Sequence, residues 1–330
     1  MITELLLLVL GLVLILFGAN YLTEGSANLA RRFKISELVV GLTVIAIGTS
    51  TPELVVSALS AGQGSGDMAI GNVAGSNIFN ILVILGITSL VTNVKLSRDT
   101  MKRDLSIMLV ATAMMIFFSY FNSIFGLGEN KISRLGGAIL LASFIVFMVI
   151  TLHSALKSRG SAVNKPLSSD TTRTKKLRER KLAIMLVMIV GGLAALVIGG
   201  ELFLDNAKAL AHRAHISESV IAITLMAAGT SLPELAASIA AARKGKAQMA
   251  LGNVIGSNIS NIFLVLGTSA MIRPLGLGNI SGVDLGMVAL SALLLFLSAY
   301  TFKKFKIDKI EGAVFILLYV AYTVYILLAQ

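Results

Sequence analysis

Two short segments, GTSTPELVVS at 48–57 and GTSLPELAAS at 229–238, each set a glutamate directly after a proline inside an otherwise apolar stretch. Around Glu53 and Glu234 gather further oxygen donors: the hydroxyls of Thr49, Ser50, Thr230 and Ser231, those of Ser76 and Ser257 downstream, and the side-chain amides of Asn80 and Asn261. Proline has no backbone N–H and its ring clashes with the carbonyl four residues back, so the helix should break or kink around Gly48 to Ser50, leaving unwound carbonyls near Ala46 and, in the second copy, near Ala227. The donors are all oxygens. Hard cations such as Ca2+ take six to eight oxygens in flexible geometry, whereas zinc or copper favour His or Cys. The chain has no cysteine, and its three histidines, His153, His212 and His215, fall near expected helix ends.

The elements that must hold these groups are membrane helices. Of 330 residues, 56% are hydrophobic and only 14% charged, far more apolar than a soluble domain of this length. Apolar runs approach or reach the ~20 residues that cross a bilayer as a helix. Ten spans are expected, at 3–27, 37–61, 68–91, 105–121, 134–153, 182–208, 218–241, 248–271, 283–302 and 309–328. The first has Glu4 and no basic residue ahead of its apolar run, and it continues past Gly18 without a cleavage pattern, so it reads as a retained helix rather than a secretory signal.

Of the 28 Lys and Arg residues, 23 fall in one alternating set of loops and 5 in the other. That asymmetry is the positive-inside pattern. It puts both termini outside a cytoplasmic (inner) membrane and the basic connector 154–181 in the cytoplasm. The net charge of +11 is therefore a topological signal. No nucleic-acid partner is implied, since neither a soluble domain nor aromatic-basic interleaving accompanies the charge. The bilayer is the partner the composition implies; no protein partner is evident.

Residue 48 corresponds to 229 at an offset of 181, and the same offset maps GNVAGSNIFN (71–80) onto GNVIGSNISN (252–261). This is an internal duplication. Each copy carries five helices, an odd number, so the second enters the membrane from the opposite side. The expected fold is an all-α polytopic membrane protein, ten transmembrane helices in two inverted five-helix repeats with broken helices at the midplane. Residues 1–153 form the first repeat, 154–181 the linker and 182–330 the second repeat. Secondary transporters are the main users of this architecture, with the substrate site between the repeats.

An ionised carboxylate out of water must find a partner or take a proton, and no Lys or Arg sits at the depth of Glu53 or Glu234. The compensating charge must come from an ion or from protons. Gly71, Gly75, Gly252 and Gly256 have the spacing that lets helices approach closely. Glu37 and Glu218 open their spans and suit helix starts. Glu24 and Asp205 correspond at the same offset near helix ends, while the depth of Glu201 is not readable from spacing.

With these motifs in view, the chain resembles the sodium/calcium exchangers of the cation/calcium exchanger superfamily, most of all their prokaryotic ten-helix members. The resemblance runs along essentially the whole chain, and its doubled motifs are specific. It implies a calcium:sodium antiporter working by alternating access, Na+ entry driving Ca2+ export, with three Na+ for one Ca2+ making exchange electrogenic. It also implies that Ca2+ is held by Glu53 and Glu234 with backbone oxygens of Thr49 and Thr230. One sodium position would use Glu53, Ala227, Thr230 and Ser257, and another Glu234, Ala46, Thr49 and Ser76. Ser50 and Ser231 lie nearby, Asn80 and Asn261 flank the centre, and the first and sixth helices slide across a fixed core. Some members carry Asp where this chain has Asn261, which argues against a potassium site here. Ca2+ and Na+ are transported substrates on this reading, and no cofactor is implied.

Three other readings remain open at this point. Two close glutamates could each accept a proton, making an H+/Ca2+ exchanger. A channel would pass Ca2+ without regard to a counter-ion gradient, though enclosed acids suit tight binding better than conduction. An intramembrane hydrolase, the one enzymatic reading, lacks a His or Lys at depth to activate its serines; the chain is not expected to be an enzyme.

Overall fold

The computed structural model describes residues 2–97, 100–126, 128–162, 182–213, 229–298 and 305–329. Its helices are α1 (Ile2–Phe33), α2 (Glu37–Thr49), α3 (Thr51–Gln63), α4 (Gly66–Val91), α5 (Lys102–Ile124), α6 (Arg134–Ala162), α7 (Leu182–Arg213), α8 (Leu232–Arg243), α9 (Ala247–Ile272), α10 (Gly282–Ser298) and α11 (Lys309–Ala329). Helices α2 and α3 form one bent span, and α8 is the described part of the seventh. Every expected span carries helix. The sixth-numbered helix boundary differs: α6 continues past 153 to Ala162, into the stretch expected as linker. Residues 163–181, and with them most of that linker, lie outside the described residues, as do Glu218, His215 and Ala227.

Burial sorts the helices into layers. The two GNV-GSN helices, α4 and α9, are the most buried spans, whereas α1, α5, α6 and α11 turn broad apolar faces outward. An outward apolar face of this extent is what a bilayer, rather than water, stabilises. The core between them is aliphatic, with Ile70, Val73, Ile78 and Leu82 of α4 against Leu251, Val254, Ile255 and Ile262 of α9.

Close approach of backbones is set by glycine. A Cβ on Gly18 of α1 would lie 2.7 Å from the Gly192 carbonyl of α7, and one on Gly192 would lie 2.6 Å from the Leu22 nitrogen, so these two long helices pack main chain to main chain. Glu4 and Arg213 add an ion pair at 2.5 Å between the start of α1 and the end of α7. Gly252 and Gly256 of α9 likewise press on Leu38, Gly41 and Leu42 of α2, confirming the packing expected of that glycine pair. The residues that correspond to this partner for Gly71 and Gly75, at the same offset, lie outside the described residues.

Four two-residue strands complete the frame: β1 (Val94–Lys95), β2 (Lys131–Ile132), β3 (Leu275–Gly276) and β4 (Lys306–Ile307). β1 pairs antiparallel with β4, and β2 with β3. Each pair joins a loop of one half to a loop of the other, and the two pairs sit at opposite ends of the bundle. Val94 and Leu275 correspond at the offset of 181, so the two ties are themselves related by the repeat.

Candidate ion-binding site

The first break is a single residue wide. Ser50, at φ −81° and ψ 9°, separates α2 from α3, which are bent by 44°. Pro52 occupies the first turn of α3, where a missing N–H costs nothing, and it deprives the Gly48 carbonyl of its helical donor. The second half repeats the geometry, with Ser231 at φ −90° and ψ 7° ahead of α8 and Pro233 in its first turn. Glu53 and Glu234 therefore stand at fresh helix N-termini, where the helix dipole favours negative charge. α2 is 13 residues long, about 20 Å at 1.5 Å per residue, shorter than a ~30 Å hydrocarbon core, so its break falls inside the span rather than at its end.

Both carboxylates are fully buried and close enough for their charges to interact. Their hydrogen bonds cross between the halves. Ser50 Oγ donates to Glu234 Oε1 at 3.1 Å, and Ser231 Oγ donates to Glu53 Oε1 at 3.3 Å. Ser76 Oγ also donates to Glu53 Oε1, at 3.4 Å, and lies 3.5 Å from Thr230 Oγ1. The second oxygen of each acid, Oε2, is buried with no hydrogen-bond partner among the described residues. Neither acid has an ion-pair partner there.

Ser76 bonds Glu53 of its own half, while Ser257 Oγ is buried and has no hydrogen-bond partner among the described residues. Packing within the half brings Ser76 to its acid. Ser76 follows Glu53 by the same 23 residues that separate Ser257 from Glu234, and α3 packs on α4 as α8 packs on α9. The Ala46 carbonyl accepts the Ser50 N–H at 3.0 Å, and the carbonyl whose helical donor proline removes is that of Gly48. Thr49 is buried and bonds back to Ile45 at 3.0 Å.

Asn80 and Asn261 are fully buried, each opening a π-helical turn in α4 and α9, Asn80–Leu85 and Asn261–Leu266. Such turns recur at functional sites because they re-aim side chains inside a helix. Asn261 Nδ2 donates to Asn77 Oδ1 at 3.1 Å, while the amide of Asn80 finds no partner among the described residues.

Two residues that the sequence reading passed over brace the site. Asn72 Nδ2 donates to the Glu53 carbonyl at 3.3 Å and to Ser57 Oγ at 2.9 Å, and its Oδ1 accepts from Thr230 at 3.4 Å. Asn253 does the same for the other half, with the Glu234 carbonyl at 3.3 Å, Ser238 Oγ at 3.0 Å and Thr49 at 3.3 Å. The doubled Gly-Asn-Val was the available signal. Glu201 and Asp205 are exposed on α7, and Glu37 lies in the first turn of α2, capped by Ser36, so none of these three joins the cluster.

Two oppositely inserted halves that each bring a broken helix and a buried carboxylate to one shared point define a secondary transporter of the inverted-repeat class. The profile of the family described as sodium/calcium exchanger protein matches residues 3–153 and 184–328. The sodium/calcium exchanger MaX1 of Methanosarcina acetivorans is 35% identical over 97% of each chain. The inner membrane protein YrbG of Escherichia coli is 34% identical over 81% of this chain and 79% of its own. A solved structure of the sodium-calcium exchanger NCX_Mj superposes with a TM-score of 0.79 at 32% identity over 97% of both chains. The chain belongs to the sodium/calcium exchanger family.

Proposed function

We propose that Glu53 and Glu234, with Thr49, Ser50, Ser76, Thr230, Ser231, Ser257 and the flanking Asn80 and Asn261, form one shared cation site that Ca2+ and Na+ occupy in turn, so that the chain exchanges the two ions across the cytoplasmic membrane. Carbonyls of Ala46 and Ala227 belong to the proposed sodium positions. The observation that carries this reading is the pair of buried carboxylates, each with one oxygen that has no hydrogen-bond partner and neither with an ion-pair partner among the described residues. Two negative charges in a low-dielectric interior call for positive charge of equal size. One Ca2+ neutralises the pair, whereas three Na+ leave one net charge, which makes exchange electrogenic with Na+ entry driving Ca2+ export.

Alternating access follows from the packing. α1 and α7 are bound to each other by main-chain contact and an ion pair, and both turn apolar faces outward, so they are suited to move as one unit across the core that the β1–β4 and β2–β3 ties hold together. The loop charges support termini outside and the 154–181 connector in the cytoplasm, and the inner-membrane name of the Escherichia coli relative supports the same membrane. The family profile leaves 154–183 unmatched, in keeping with a tether between two repeats.

In proteoliposomes, an outward Na+ gradient should drive uptake of radiolabelled Ca2+ and carry current, and a pH gradient alone should not. Uptake driven by pH without Na+ would replace this reading by proton exchange, and flux indifferent to either gradient would replace it by a channel. Asn72→Ala and Asn253→Ala should each weaken Ca2+ affinity about five-fold, since each loses a brace worth about 1 kcal/mol at a site tuned by geometry. Calcium titrations of exchange rate measure this; unchanged affinity in both would remove the bracing role.

A further inference from the structure

Away from the carboxylates, a groove of about 1470 Å3 runs between α5 and α6, bounded at one end by the starts of α2 and α9. Its walls change character along its length. At that end lie Lys102, Arg103 and Lys157 with the hydroxyls of Ser97, Thr100 and Ser154. Further along, Ile107, Val110 and Met114 of α5 face Ile139, Val146 and Ile150 of α6. From Lys102 to Met114 α5 rises about 18 Å, close to the ~15 Å of hydrocarbon in one leaflet.

The rim carries excess positive charge. Arg103 pairs with Asp104 at 2.6 Å, and Glu37, the acid on the rim, pairs with Lys246 at 3.5 Å. Lys102 and Lys157 are exposed and have no ion-pair partner among the described residues. Val110 and Val146, about half exposed at 55% and 56%, open the apolar part outward. A groove of this kind on a membrane-spanning surface fills with acyl chain, because nothing else there is apolar and mobile; the basic end selects the headgroup.

We propose that this groove binds an anionic glycerophospholipid, its phosphate held by Lys102 and Lys157 with the nearby hydroxyls, and one acyl chain laid between α5 and α6. Ser36 to Val39 line the same groove, and Ser36 caps α2 by accepting the Val39 N–H at 3.3 Å. The lipid thus props the start of the helix whose far end carries the first break. This assignment does not depend on which ions the carboxylates hold.

Native mass spectrometry of the purified full chain, delipidated and then offered phosphatidylglycerol and phosphatidylcholine in equal amounts, tests it without reference to transport. The wild type should retain phosphatidylglycerol preferentially, and the double substitution Lys102→Gln/Lys157→Gln should lower that preference about ten-fold or more, as two basic side chains at a headgroup imply. Val146→Trp, which fills the apolar part, should reduce retention of either lipid, whereas Lys306→Gln/Lys309→Gln, which changes charge outside the groove, should leave the preference as it was. An undiminished preference in the first double variant, or an equal loss in both double variants, overturns the proposal. So does a dimer whose formation Val146→Trp abolishes, since that would make a second copy the occupant.

Discussion

With Glu53→Gln or Glu234→Gln, Na+-driven uptake of radiolabelled Ca2+ is expected to fall to the level of empty vesicles while the protein remains folded. The amide keeps the shape of the carboxylate and one oxygen donor, so the packing around it survives. What disappears is one of the two charges. Even at an effective dielectric of 20, two unit charges 4 Å apart interact by about 4 kcal/mol, and a divalent ion doubles that, so affinity should drop by more than about a thousand-fold. Because Oε2 of each acid has no partner among the described residues, removing its charge breaks no existing ion pair. A melting temperature in detergent within a few degrees of wild type would verify the fold. Substantial residual exchange in both variants would mean that the carboxylates are not the shared site.

Gly252→Leu is expected to abolish the native fold rather than transport alone. A Cβ at Gly252 would collide with the Leu38 carbonyl of α2, and main chain cannot yield as a side chain can. Overpacking of an ordinary core costs about 1–3 kcal/mol, and here the whole helix must move. α9 is the most buried span, and the same face carries Asn253, which bonds Thr49 at the first break. Size-exclusion profiles and thermal melts should show aggregation or a large loss of stability. Gly191→Leu is the control, since Gly191 is exposed on α7 and a Cβ there meets nothing within 4 Å. Equal behaviour of the two variants would show that the α2–α9 contact is not the constraint described.

The two variants probe features that differ in how far they can be read from residue order. Helix positions were legible because apolar length alone decides whether a segment can lie in lipid, and all ten expected spans carry helix. The breaks were legible because Pro52 and Pro233 act on their own chain within four residues. The duplication at an offset of 181 made the pairing of Glu53 with Glu234 legible as well, since two inverted copies must bring equivalent positions toward one axis.

Contacts between distant helices were less accessible. Ser76 falls beside the acid of its own half, while Ser50 and Ser231 reach the acid of the opposite half. Nothing in local spacing separates those two cases, because both kinds of serine lie in apolar helices at similar depth. Asn72 and Asn253 look like ordinary helix-packing amides until α3 and α8 are laid against them. Composition, periodicity and the paired helix breakers were enough to place the chain in a membrane, to divide it into two opposed halves and to mark the acids, since these follow from solvent and from forces along one helix. Which face of each helix meets which neighbour, and therefore the hydrogen bonds of the site and the groove between α5 and α6, arises only when side chains from several helices compete for the same space.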